Sequence, residues 1–183
     1  MNVNKKTNML VMAGLMACLV MLATMFVRVP IPLTKGYVHI GDAMVFISML
    51  ILNKKYAVAA SAIGASLADI FGGFAVLAPW TFVAKGAMIL IALRIAGPPQ
   101  IKSAAEAEGV GMRLRELFGM VCGGLVMTAI YYAAEGLMYG NWIVPMVGIP
   151  WNIGQFTLGI VIAFVFHRAL TASAEGRELL FRF

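Results

Sequence analysis

Nine residues could hold a polar solute inside an otherwise apolar chain: His39, Asp42, Asp69, Trp80, Lys85, Tyr131, Glu135, Asn152 and Gln155. Asn152 and Gln155 are three apart, so a helix presents both amides on one face. Glu135 lies one helical turn beyond Tyr131 and Tyr132. Charges of both signs, amides and aromatic rings together can hydrogen-bond and stack against a planar, polar heterocycle. Each residue also has a plainer use. Asp69 could cap a helix end, Lys85 could extend its stem to an interface, and Glu135 could serve only to neutralise Lys85. The two amides could bond the start of their own helix, but ionisable groups inside a membrane usually mark function.

Covalent chemistry has little to work with. The two histidines, His39 and His167, stand far apart, and no His-Glu-x-x-His, Gly-x-Ser-x-Gly or paired-aspartate motif occurs. The residues therefore predict no enzyme, no catalytic group, no metal site and no cofactor. A glycine-rich phosphate loop is also missing, so any ATP-driven step needs another subunit. A channel is disfavoured because the other half of each apolar run offers no polar lining.

The elements that position these residues follow from composition. Of 183 residues, 62% are hydrophobic and 12% charged, which places the chain among membrane proteins. The pattern predicts an all-α membrane protein, a single domain over 1–183 with six transmembrane helices and both termini cytoplasmic. The expected spans are about 9–27, 38–52, 56–71, 80–95, 117–139 and 151–169. The second is the shortest: Ala43 to Leu52 alone is too short to cross, so it must extend back through Tyr37-Val38-His39-Ile40. The third is rich in alanine and glycine and belongs in the packed middle. No cleavage site follows the first apolar run, which predicts a retained span. Cys18 and Cys122 read as small buried residues, and the net charge of +6 comes from loops and not from a surface for nucleic acid.

One stretch interrupts the apolar pattern. Pro30-Ile-Pro-Leu-Thr-Lys-Gly-Tyr-Val-His-Ile-Gly-Asp42 carries two prolines and two glycines between two apolar runs. Hydrocarbon cannot satisfy such irregular backbone, so the segment must lie at the membrane surface or close over a cavity. It reads as a lid, with the polar residues gathered beneath it.

Orientation follows from the basic residues. Lys5, Lys6, Lys54, Lys55, Arg94, Lys102, Arg113, Arg115, Arg168, Arg177 and Arg182 fall on one side of a six-span chain, against only Arg28 and Lys35 on the other. Eleven against two places the termini inside and the lid outside. Trp80, Trp142 and Trp151 then fall at outer ends of spans or in an outer loop.

With these residues in place, the chain resembles the substrate-binding S components of energy-coupling factor (ECF) vitamin transporters, in the riboflavin-type branch. The resemblance rests on Ala13-x-x-x-Ala17 in the first span, on Tyr37-Val-His-Ile-Gly-Asp42 in the lid, and on Ala78-Pro-Trp-Thr-Phe-Val-Ala-Lys-Gly86 entering the fourth span. It covers nearly the whole chain. It implies a subunit that binds a small vitamin or vitamin precursor in its outer half under the first outer loop. It further implies docking through Ala13 and Ala17 onto a membrane coupling subunit that carries two cytoplasmic ATPases, in the plasma membrane of a prokaryote. The competing reading of the residues is a stand-alone secondary transporter of a small polar heterocycle. No residue combination names one vitamin.

Overall fold

The computed structural model describes residues 3–33, 36–97 and 112–181. The first helix, α1 (Val3–Phe26), ends where the prolines begin, and the lid is a short antiparallel hairpin. Strand β1 (Arg28–Pro30) pairs with β2 (Tyr37–His39) in the register Arg28 to His39, Val29 to Val38 and Pro30 to Tyr37. Proline is tolerated here because a two-stranded ribbon has a free edge to which its missing donor can point. The turn beyond β1 holds Leu33 at φ 65°, a left-handed conformation that a non-glycine residue seldom adopts. Thr34 and Lys35, and most of the charged segment Gln100–Glu116, lie outside the described residues.

The hairpin corrects one expectation. Helix α2 runs from Gly41 to Ile51 and does not extend back through Tyr37–Ile40, because Tyr37–His39 are committed to the strand. Gly41 is the residue that makes this close turn possible. A β-carbon there would stand 2.8 Å from His39 Nδ1 and would also strike the Thr24 hydroxyl of α1. At 11 residues, α2 is roughly 16 Å long.

The remaining helices are α3 (Lys54–Phe71), α4 (Ala78–Ala96), α5 (Leu114–Tyr139), α6 (Gly148–Ala172) and α7 (Ala174–Phe181). Pro79 sits in the first turn of α4, where its missing N–H costs nothing. Gly140 closes α5 in the left-handed conformation (φ 61°), and a 3-10 turn, Val144–Val147, leads into α6. Small residues set the packing. Along α5, a β-carbon at Gly119 would lie 2.6 Å from the Ala92 carbonyl of α4, so the two helices meet nearly backbone to backbone. The same holds for Gly64 of α3, which lies against the Ala17 backbone of α1. The core of Val20, Phe46, Met88, Ile89, Met120 and Met127 is fully enclosed by these contacts.

Helices α1 to α6 run alternately up and down. Cross-links among Arg28, Ala68, Asp42, Lys85, Gln155, Thr81 and Tyr131 gather the ends of α1, α3 and α5 and the starts of α2, α4 and α6 beside the hairpin. Among the described residues, four segments are long and apolar enough to cross a membrane: Lys6–Phe26, Ala78–Ala96, Leu114–Tyr139 and Val144–Ala172. Helix α2 is apolar but short, and α3 is built of small residues. Cys18 is exposed and Cys122 partly so, which corrects their expected burial: both sit on helix surfaces that face outward from the bundle.

Candidate functional site

Beneath the hairpin lies a cavity of about 440 Å³ measured out to its mouth, open solvent included. Its enclosed part is small, with room for no more than a few water molecules. The hairpin contributes Ile31, Tyr37 and His39, α3 contributes Asp69, α4 Thr81, α5 Tyr131 and Glu135, and α6 Asn152 and Gln155. Five separate elements therefore converge on one space at one end of the bundle.

Gln155 ties the parts together. Its side-chain oxygen accepts the His39 backbone N–H at 3.0 Å, and its Nε2 donates to Asp42 Oδ2 at 2.8 Å. Asp42 is in turn paired with Lys85, and both are fully enclosed. Lys85 Nζ also lies against the sulfur of Met127 and 5.7 Å from the centre of the Tyr131 ring. Buried charges persist when paired and hydrogen-bonded in this way.

The hairpin's other anchor is at α3. Arg28 donates to the Ala68 and Gly72 carbonyls at 3.0 and 3.2 Å, at the end of a helix where the dipole favours a cation. Its guanidinium lies 4.9 Å from the centre of the Tyr37 ring, and the Tyr37 hydroxyl donates to Asp69 Oδ1. The Tyr37 ring packs on Phe74 with centroids 4.6 Å apart. Burial, and then the nearby Lys85, push the His39 imidazole down to about 3. It is therefore neutral, and its Nδ1 accepts the Gly41 N–H at 3.0 Å.

Two carboxylates remain open to the cavity. Asp69 Oδ2 is buried with no donor in hydrogen-bond geometry, although Thr81 stands close by. Thr81 itself receives a hydrogen bond from Tyr131 at 3.1 Å. Across the cavity, Glu135 and Asn152 converge. A β-carbon at Gly148 would stand 3.7 Å from both Glu135 Oε2 and Asn152 Nδ2, so the bare glycine makes room for their approach.

A family model described as "ECF-type riboflavin transporter, S component" matches residues 4–172. The chain belongs to this family. It is 31% identical over 121 residues to an "Uncharacterized protein in gap 3'region" of Pyrococcus woesei, across 66% of this chain and 74% of that one. It also superposes on the structure titled "Structure and mechanism of the S component of a bacterial ECF transporter". The TM-score is 0.69, over 90% of this chain and 96% of that one, at 18% identity, a likeness of fold. This S component is thus a membrane protein of a transporter family, and that family is not one of enzymes.

The S component brings six of the nine expected solute residues to the cavity: His39, Asp69, Tyr131, Glu135, Asn152 and Gln155. Lys85 and Asp42 are not in its lining. They face each other behind it, so Asp42 and not Glu135 neutralises the lysine. Trp80 is partly exposed and does not line the space. Tyr37 and Thr81 were not among the expected residues. Thr81 stands one turn before Lys85 on the same helix face, a spacing that could have singled it out.

The docking pair also has a second environment. Ala13 and Ala17 of the S component are partly buried and pack against its own core, and Ala17 abuts Gly64 of α3. On the outward face of α1 the small residues are Gly14, with open space where its β-carbon would be, and Cys18.

Proposed function

We propose that this S component is the substrate-binding subunit of an ATP-driven ECF importer and captures one small vitamin or vitamin precursor between the hairpin and α3 to α6. The observation that carries this reading is the convergence of Asp69, Glu135, Asn152 and Gln155 from three helices on a cavity roofed by the hairpin. Apolar and aromatic walls with a few convergent polar groups are the usual make-up of a small-molecule site. The small enclosed space favours a solute that enters as the walls separate. The hairpin is the natural part to move, since the bonds of Arg28 to an α3 carbonyl and of the His39 N–H to Gln155 of α6 both hold it at its base.

In this reading all six helices cross the plasma membrane of a prokaryote, α2 and α3 with help from their neighbours, and the termini lie in the cytoplasm. Lys54, Arg94, Arg113 and Arg168 share the end of the bundle remote from the hairpin, in keeping with the excess of basic residues inside. The chain has no phosphate loop, so a membrane coupling subunit and two cytoplasmic ATPases supply the energy. The α1 face around Ala13 and Ala17 meets the coupling subunit, where small residues permit close approach.

Native mass spectrometry of the purified S component tests the reading. One bound small molecule per chain, and no uptake by proteoliposomes holding this chain alone with ATP, are the expected results. Concentrative uptake by the chain alone would instead favour a stand-alone transporter.

A further inference from the structure

The charge of the solute can be read from the cavity, given the reading of that cavity as a solute site. Three carboxylates stand in it or beside it, Asp42, Asp69 and Glu135, against two cations among the described residues, Lys85 and Arg28. Lys85 is held by Asp42. Arg28 directs its N–H groups to the carbonyls of Thr24, Ala68 and Gly72. Neither cation forms an ion pair with Asp69 or Glu135, and no other cation among the described residues does so.

The two remaining carboxylates are also mostly withdrawn from solvent. Asp69 is 3% exposed, with Tyr37 bonded to one oxygen and only the Thr81 hydroxyl close to the other, and Glu135 is 7% exposed. Burying an ionised carboxylate without a donor or counter-charge is costly. Asp69, with one oxygen unbonded, and Glu135, with no ion pair, project from α3 and α5 into one cavity that is lined otherwise by uncharged polar, aromatic and aliphatic side chains.

We infer that the solute carries a protonated nitrogen, held between Asp69 and Glu135. An ammonium or protonated ring nitrogen supplies both missing partners at once: an N–H for Asp69 Oδ2 and a positive charge for the pair. A neutral heterocycle supplies the donor without the charge. A phosphorylated or carboxylated solute brings like charge into a desolvated space and is excluded.

The test begins with the solute released by denaturing the purified protein. Its mass and the ionisation of its nitrogens are determined, and its affinity is measured for wild type, Asp69→Asn and Glu135→Gln. The expected solute is cationic at neutral pH and binds each variant at least about tenfold more weakly. The solute-free variants should melt at or above the wild-type temperature, because each has lost a buried unpaired charge. A neutral or anionic solute, or a cationic one that binds both variants as tightly as wild type, overturns the inference while leaving the site itself standing. Should nothing be released, thermal shifts at pH 8 with 4-amino-5-aminomethyl-2-methylpyrimidine and its 5-hydroxymethyl counterpart decide, since the two share a ring that is mostly unprotonated there and differ in an ammonium against a hydroxyl. A larger shift with the aminomethyl compound supports the inference, and an equal or larger one with the hydroxymethyl compound overturns it. If neither of these nor riboflavin shifts the melting temperature, the cavity is not a solute site and both readings fall.

Discussion

The backbone N–H of His39 donates to the Gln155 side-chain oxygen at 3.0 Å, joining the hairpin to a helix 116 residues further along the chain. The Nε2 of the same Gln155 donates to Asp42 Oδ2. One side chain therefore sets the distance between the roof of the cavity, α2 and α6. Replacing Gln155 with alanine leaves two buried polar groups unpaired, at about 1–3 kcal/mol each. The expected outcome is at least about tenfold faster hydrogen exchange at the His39 amide and weaker solute binding. Gln155→Glu should keep the bond to His39 but set a carboxylate against Asp42, so it too should bind poorly. Unchanged exchange in Gln155→Ala would show that the hairpin is held elsewhere.

Lys85 and Asp42 should behave as a structural unit. Breaking the pair with Lys85→Met or Asp42→Asn is expected to cost about 3–5 kcal/mol in thermal unfolding, and the double replacement, which keeps an oxygen to accept from Gln155, should recover part of it. Because neither residue lines the cavity, the double variant should also retain solute binding within a few-fold. A double variant that folds normally but no longer binds would put Lys85 in contact with the solute.

The docked hairpin should be sensitive to acid. His39 has an ordinary value of 6.5 and is held at about 3 in the folded protein. The unfolded chain therefore takes up a proton first, between these values, and stability falls as pH drops below about 6.5 toward 3. The slope from this one group is at most about 1.4 kcal/mol per pH unit. Protonation would also remove the acceptor for the Gly41 N–H. Lys85 and Arg28 add to the effect and Asp42 opposes it. Melting temperatures of wild type and His39→Gln between pH 7 and 5 check this, with wild type expected to lose more. Parallel slopes would contradict it.

On α1, two substitutions separate packing from docking. Ala17→Trp drives a large ring toward Gly64 and should lower folded yield, losing solute binding with it. Gly14→Trp points into open space and should fold and bind normally. Loss of uptake in Gly14→Trp with binding intact would assign docking to the outward face of α1. Normal uptake would leave it to the Ala13 side.

Much of this was legible in the sequence, for identifiable reasons. Long apolar runs fix α1, α4, α5 and α6, and the depth of Glu135, Asn152 and Gln155 along those runs, with Asp69 at the end of the alanine-rich α3, predicts that they meet at one end. Partner choice was not legible. Lys85 pairs with Asp42 because α2 packs behind α4, and hydropathy does not record which helices are neighbours. The three-residue strands of the hairpin are too short for an alternating pattern to show, and their prolines read as breakers. Trp80 was placed by its depth alone. Its rotation about the axis of α4, which turns it away from the cavity, is set by packing. The same rotational ambiguity hid the inward turn of Ala17.

The most direct measurement is an experimental structure of the S component with its solute retained. The account predicts the solute between the hairpin and α3 to α6, within hydrogen-bond reach of Asp69 and Glu135, with Asn152 and Tyr131 beside it and the Lys85–Asp42 pair intact behind. A solute bound at the opposite end of the bundle, or on its lipid-facing surface with this cavity still closed, would contradict it.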